Sequence, residues 1–242
     1  MSLPLKIEHL AVDRECVPVV ADLSHTIDRP GWTGIVGANG SGKTTLLRAL
    51  AGRLPVRSGR ITAGGIDYTY DRGGRAEMIG FAVEGSMLPA ELTPSEIFAI
   101  AAQRRDAIDD PALGPLRKAL NVEHFIDRKC GTLSAGMGQR IALLAAFLDM
   151  PAIVILDEPF NWLDPLTAYD VKIALRDLVI SREIALITAL HDVTTFMAYC
   201  NCGILMAGGR IALVMDEAKL RSGLADPVEF EAFMVGRLRA AR

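Results

Sequence analysis

Apolar positions along this chain gather into short unbroken runs, set apart by longer stretches with helical spacing. Residues 32–36, 78–83, 152–156 and 184–189 are apolar almost throughout, which predicts strands buried on both faces. Residues 45–51, 135–149 and 165–181 carry their apolar side chains at helical intervals instead. Strand and helix therefore alternate, the pattern of an α/β fold around a mainly parallel sheet. Two further strands, 5–12 and 17–27, precede the first apolar run, with a turn over 13–16, and predict an antiparallel β region at the N-terminal end. Gly52 marks the end of the first helix, and residues 58–70 read as short strands around a Gly64-Gly65 turn.

One stretch breaks the alternation. Thr93-Pro94-Ser95-Glu96 has a capping threonine, a proline at the first helical position and a glutamate placed to complete a capping box. From there to Leu120 the pattern is helical, with no strand candidate. The expectation is one domain over 1–242 with a small α-helical insertion at about 90–135. A hairpin-like segment at 203–214 and two short helices complete the chain.

Composition narrows the class. Half of the 242 residues are hydrophobic, and the mean hydropathy of +0.27 is high for a soluble chain. A sheet covered on both faces accounts for this. The most apolar region, 141–156, is interrupted by Asp149 and Pro151, so it reads as helix then strand rather than a membrane span. The N-terminus lacks the basic and apolar regions of a signal peptide. A net charge of −3 gives no electrostatic case for nucleic acid. Cys16, Cys130, Cys200 and Cys202 lack zinc-site spacing and are expected to be reduced thiols of a cytoplasmic protein.

The candidate chemistry centres on Gly37-Ala38-Asn39-Gly40-Ser41-Gly42-Lys43-Thr44, a complete phosphate-binding loop pattern between strand 32–36 and the helix opening at Thr45. Glycines let successive backbone N–H groups turn inward around an anion. Lys43 is suited to reach the terminal phosphates as a point charge, and the Thr44 hydroxyl to ligate Mg²⁺. The helix N-terminus, with Thr45, faces the same anion. Later, the apolar run 153–156 delivers Asp157 and Glu158 at its carboxyl edge, where ligands of parallel sheets bind. Asp157 is the candidate Mg²⁺ holder and Glu158 the candidate group that polarises water.

Leu133-Ser134-Ala135-Gly136-Met137-Gly138-Gln139-Arg140 resembles the signature sequence of ATP-binding cassette (ABC) ATPases, whose usual form is Leu-Ser-Gly-Gly-Gln. Ser134 would cap the following helix, whose first N–H groups would face an anion. The order of motifs matches that family across most of the chain: phosphate loop, Glu84 region, helical insertion, signature, Asp157-Glu158, Asn161-Trp162-Leu163-Asp164 and His191. The resemblance implies a P-loop NTPase that binds ATP and Mg²⁺, with Ser134 and Gly136 contacting the γ-phosphate of a partner subunit. It also implies that His191 contacts the γ-phosphate and that Asp164 ends a loop linking two sites.

The same resemblance implies an ATP-hydrolysing transporter subunit, a homodimer or heterodimer docked on transmembrane permease subunits at the inner face of the membrane. Some positions depart from the family pattern. Glu84 stands where glutamine is usual, Ala135 and Met137 replace signature residues, and Arg14 falls near the usual adenine-stacking aromatic. Glu84 is expected to join Thr44 and Asp157 at the metal, and Arg14 to offer a guanidinium plane to the base. The rival reading, a soluble cassette ATPase acting on nucleic acid or ribosomes, lacks the second cassette or long basic insertion such proteins carry. A GTPase would need an Asn-Lys-x-Asp segment, which is missing. A non-hydrolysing regulatory cassette fits poorly with Lys43, Asp157, Glu158 and His191 all present.

Overall fold

The computed structural model describes residues 4–241; residues 1–3 and 242, the ends of the expected domain, lie outside the described residues. Strands β1 (Leu5–Arg14) and β2 (Val17–Ile27) pair antiparallel, turning at Glu15 and Cys16. Helix α1 (Lys43–Leu50) follows β3 (Gly31–Gly37). Strands β4 (Ser58–Ala63) and β5 (Ile66–Asp67) extend the first pair into a sheet of order β2-β1-β4-β5. The apolar runs build a second sheet from β3, β6 (Ile79–Ala82), β7 (Ile153–Asp157), β8 (Ala185–Ala189), β9 (Cys202–Ala207) and β10 (Arg210–Asp216). Its order is β10-β9-β3-β8-β7-β6, parallel throughout except for β10.

The parallel strands of this second sheet are covered on both faces, which is why they are apolar without alternation, while the edge strand β10 is largely open to solvent. Ile153 and Ile155 enter one core, shared with Leu46, Leu47 and Leu50 of α1 and with Leu5 and Ile61 of the first sheet. Val154 and Leu156 enter the other, among the helices of the far face. There α5 (Ala135–Ala145) and α6 (Pro165–Arg182) contribute Ile141, Leu144, Val171 and Leu175. Trp32 is wholly buried in the same layer and donates from Nε1 to Thr188 Oγ1 at 2.8 Å.

Several boundaries differ from the sequence expectation. The capping box at Thr93 and Glu96 forms, but α3 (Pro94–Ala101) is short. The Asp149 carboxylate draws the chain aside by accepting from the N–H groups of Gln103 and Arg104, at 2.6 and 3.0 Å. Two single turns then lead to α4 (Gly114–Leu120). Helix α5 stops at Ala145, four residues before the expected end, and Asp149 and Met150 take positive φ values of 60° and 51°. The last helix, α9 (Pro227–Ala240), follows α8 (Glu217–Gly223) and has 14 residues, longer than expected.

Two helices were not foreseen: α2 (Arg72–Met78) and α7 (Val193–Tyr199). Gly73 and Gly74 make α2 a poor helix former by itself. Its stability comes from Asp71, which caps Gly74 N, and from two arginines that reach carbonyls at the end of α1 and beyond. Arg72 Nε donates to Gly52 O at 3.1 Å, and the fully buried Arg75 donates from Nε to Ala49 O at 3.1 Å. Arg75 Nη1 also donates to the carbonyls of Tyr68 and Thr69. Helix α7 is rich in β-branched residues and starts on Asp192, which accepts from Thr194 N at 2.9 Å. The buried arginine gives a stability test. Arg75→Leu removes all three bonds, although Ala49 O and Tyr68 O keep the N–H groups of Gly52 and Asp71, and should lower unfolding free energy by about 1–3 kcal/mol, read from urea denaturation at neutral pH.

Candidate active site

Strand β3 lies in the middle of the parallel sheet and ends at Gly37, so the following loop emerges at the carboxyl edge. Ser41 N bonds back to Ala38 O at 3.1 Å, and Gly42 takes φ +101°, a left-handed value that admits glycine without strain. That turn lets α1 start directly at Lys43. The Lys43 side chain folds over its own loop, where Nζ donates to Gly37 O at 2.8 Å and Ala38 O at 3.3 Å. Burial lowers its pKa, while Glu158 and Asp157 oppose that fall. Ser41 Oγ is buried without a hydrogen-bond partner among the described residues. A cleft beside the loop is lined by Arg14, Asn39, Gly40, Lys43, Thr44 and Glu158. Arg14 thus stands on the cleft wall, exposed at the end of β1.

Neighbouring strands deliver the remaining groups to this edge in spatial order. The sheet runs β3-β8-β7-β6, and the chain leaves these strands toward His191 after β8, Asp157-Glu158 at β7 and Glu84 after β6. Asp157 Oδ1 is buried and has no hydrogen-bond partner among the described residues. Burial raises the pKa of Asp157; a bond from the Thr44 hydroxyl lowers it, Glu158 raises it, and Arg48 and Lys43 lower it again. Glu158 sits at φ +50° and its N–H donates to Ala189 O at 3.2 Å. Both its carboxylate oxygens are engaged: Oε1 lies 2.5 Å from His191 Nε2, and Oε2 accepts from Asn161 Nδ2 at 2.7 Å.

An unpaired buried carboxylate oxygen beside a threonine hydroxyl suits a small hard cation, so Thr44 and Asp157 fit the expected Mg²⁺. Among the described residues no three His, Cys, Asp or Glu side chains form a self-sufficient cage. A magnesium ion normally completes its shell with water and substrate phosphate, so two protein ligands suffice. Glu84 lines the same cavity as Thr44 and Asp157. Glu84, expected at the metal, also has a protein partner: its Oε1 is paired with Arg48 Nη2 at 2.6 Å. Arg48 lies one turn beyond Thr44 on α1, and its contact with Glu84, 36 residues away in sequence, has no local signal.

The signature segment adopts its expected cap. Ser134 Oγ accepts from Met137 N at 3.3 Å at the start of α5, and Ser134 is exposed. It does not line the cleft around Lys43. Gly136 has a contact the sequence did not suggest: a Cβ there would stand 2.5 Å from the Trp162 carbonyl oxygen of its own chain. Further along α5, Gln139 Oε1 accepts from Gly85 N at 3.2 Å. Arg140 Nη2 donates to Asp164 Oδ2 and Thr167 Oγ1, both at 3.1 Å. Sequence reasoning missed these tethers. The four-residue spacing of Gly136 and Arg140 on one helix face was their signal.

A phosphate loop, a half-buried aspartate and a histidine-bonded glutamate on the carboxyl edge of a parallel sheet define a P-loop NTPase. Comparison with known proteins narrows this. Residues 20–161, more than half the chain, match the family model for the ABC transporter. The chain is 32% identical over 178 residues to an uncharacterized ABC transporter ATP-binding protein, YdbJ, of Bacillus subtilis, covering 74% of this chain and 58% of that protein. It is 31% identical over 196 residues to the energy-coupling factor transporter ATP-binding protein EcfA1 of Levilactobacillus brevis, covering 78% and 70%. Its fold matches a solved ATP-binding subunit of an ABC transporter, with a TM-score of 0.82, 23% identity and coverage of 96% and 99%. A cassette dimer in a post-hydrolysis state with ADP and Pi matches at 0.78, with 21% identity over 88% of this chain and 98% of that one. The chain belongs to the ABC transporter family, as an ATP-binding ATPase subunit.

The raised pKa of Asp157 has a consequence for the metal-free protein. A carboxyl whose folded pKa exceeds its unfolded value supports folding below the unfolded pKa, and that support is lost as pH rises through the folded pKa. In chelator at pH 7.5, Asp157→Asn should therefore unfold at higher urea than the parent protein. The gain should shrink as pH is lowered toward the ordinary carboxylate range.

Proposed function

We propose that this chain binds and hydrolyses ATP as one half of a head-to-tail dimer that sandwiches two MgATP, and that it drives transport through separate membrane subunits. The single observation that carries this reading is the division of the site. Lys43, Thr44, Asp157, Glu158 and His191 converge on one sheet edge, while Ser134 heads an exposed helix start outside that cleft. Ala135, the first residue of that helix, borders the neighbouring cavity of Thr44, Asp157 and Glu158, and in this reading Ser134 and its exposed helix start serve the phosphate of a partner ATPase subunit. The resemblance to a solved cassette dimer supports the same arrangement. Among the described residues no helix is long and apolar enough to cross a membrane, and the names of relatives as transporter subunits support separate permease partners. We place the subunit at the cytoplasmic face of the membrane on that ground, and treat 1–242 as one ABC ATPase domain.

Within this reading the chain's own groups divide the work. Loop N–H groups from Gly37 to Gly42, with Thr45, hold the phosphates, and Lys43 exchanges its bonds to the Gly37 and Ala38 carbonyls for phosphate oxygens. Thr44 and Asp157, joined by Glu84, would hold Mg²⁺, which supplies charge neutralisation on the phosphate oxygens when bound. Glu158 orients the attacking water and takes its proton. His191 and Asn161 fix the Glu158 carboxylate by occupying one lone pair on each oxygen. Arg14 borders the base without an aromatic platform.

Two measurements test the reading. Glu158→Gln should bind MgATP yet lose about 10²–10⁴ in turnover, the range for a positioned general base, and should accumulate an ATP-dependent dimer on size-exclusion chromatography. Turnover near that of the parent would remove Glu158 from this role. Ser134→Arg leaves Lys43 and Asp157 intact but places a bulky cation at the helix start. Nucleotide binding by the monomer should survive, while the ATP-dependent dimer in a Glu158→Gln background, and hydrolysis in the parent background, should both be lost.

A further inference from the structure

Glu84 adds a third carboxylate to a region that already holds Asp157 and Glu158, and the structure answers it with a cation from α1. Arg48 Nη2 lies 2.6 Å from Glu84 Oε1, with the arginine side chain only 29% exposed. Arg48, Glu84 and Asp157 together line a cavity beside the phosphate cleft. Among the described residues Arg48 is the one charged partner of the Glu84 side chain. Thr44 and Arg48 are one turn apart on the same helix, so the metal-side hydroxyl and the guanidinium share a face.

We propose that Arg48 is a positioning residue for the metal side of this site, whose ion pair holds the Glu84 carboxylate in reserve. A divalent cation held by Thr44 and Asp157 then competes with the guanidinium for the Glu84 carboxylate. This inference rests on the reading of Thr44 and Asp157 as the metal holders. Its physical basis is competition between two cations for one carboxylate. The guanidinium also repels the incoming metal, and its field already acts on Asp157. Glutamate at position 84 is therefore tolerated beside two other acids because its charge is matched before any nucleotide or metal arrives. The same match sets how much metal is needed to recruit it. Partly exposed ion pairs are weak, so the reserve can be drawn on by a bound divalent ion.

The test uses Mn²⁺ as the metal probe, added to the full chain saturated with a non-hydrolysable ATP analogue, with free Mn²⁺ read by electron paramagnetic resonance. Arg48→Met keeps the aliphatic stem and removes the charge. It should tighten Mn²⁺ binding in the parent protein about threefold more than it does in a Glu84→Gln background, a difference of the size an exposed pair supports. Equal shifts in the two backgrounds would overturn the inference and leave the metal reading standing, because loss of a nearby cation would then be the whole effect. Weaker Mn²⁺ binding in Arg48→Met alone would also overturn it, since Arg48 would then be aiming Glu84 at the metal. If Arg48→Met is not folded by circular dichroism, Arg48→Lys carries the same comparison with a smaller shift in the same direction. Parent protein that binds the analogue but no Mn²⁺ would overturn the inference together with the metal reading beneath it.

Discussion

The site depends on burying opposite charges together at the ends of two parallel strands. Lys43 and Asp157 are each pushed toward neutrality by loss of water, and each is held ionised in part by the other. Neither can be moved into solvent without undoing the sheet, since Lys43 opens α1 directly after β3 and Asp157 closes β7. The lysine meanwhile occupies the carbonyls of its own loop, and the aspartate leaves one oxygen unpaired. A triphosphate with its metal ion offers each of them a stronger partner than the interior does. Strain of this kind is tolerated because the two apolar cores on either side of the sheet hold the strand ends in place.

A second constraint links this edge to α5. Gly136 against the Trp162 carbonyl, Gln139 on Gly85 N and Arg140 on Asp164 join one helix to the loops that follow β6 and β7. Three contacts spread along one helix face fix a rotation as well as a distance. The exposed start of α5 at Ser134 therefore cannot turn without pulling on the loops that carry Glu84 and Asn161. Trp162, left-handed at φ +70° and 76% exposed, is the point where that linkage reaches the surface.

Most of the fold was legible because parallel strands covered on both faces have no polar side to interrupt them. The phosphate loop, Asp157-Glu158 and the Thr93 capping box could be read for a similar reason: their chemistry is local in sequence. The features that escaped are held by distant partners. Helix α2 carries two glycines and exists through Arg72 and Arg75 reaching carbonyls around the end of α1. The early end of α3 goes with the Asp149 carboxylate, which accepts from the backbone at Gln103 and Arg104. Gly136 looked like a phosphate contact from its motif, and its closest neighbour in the folded chain is the Trp162 carbonyl. No reading of helical spacing alone can tell which carbonyl a glycine must clear.

The altered signature then becomes intelligible in terms of which positions the packing constrains. Ser134 is needed for its side-chain oxygen, which caps the helix, and Gly136 for its missing Cβ, which the Trp162 carbonyl would strike. Ala135 and Met137 carry neither burden. Ala135 is exposed at the first turn, where a methyl group stabilises the helix relative to glycine by about 0.5–1 kcal/mol. Met137 contributes its backbone N–H to the cap, and that bond is indifferent to the side chain. Substitution has thus fallen on two signature positions whose side chains take no part in the cap, Met137 packing instead against the core of the far face. The cap and the close approach to Trp162, which set where the first-turn N–H groups point, are kept.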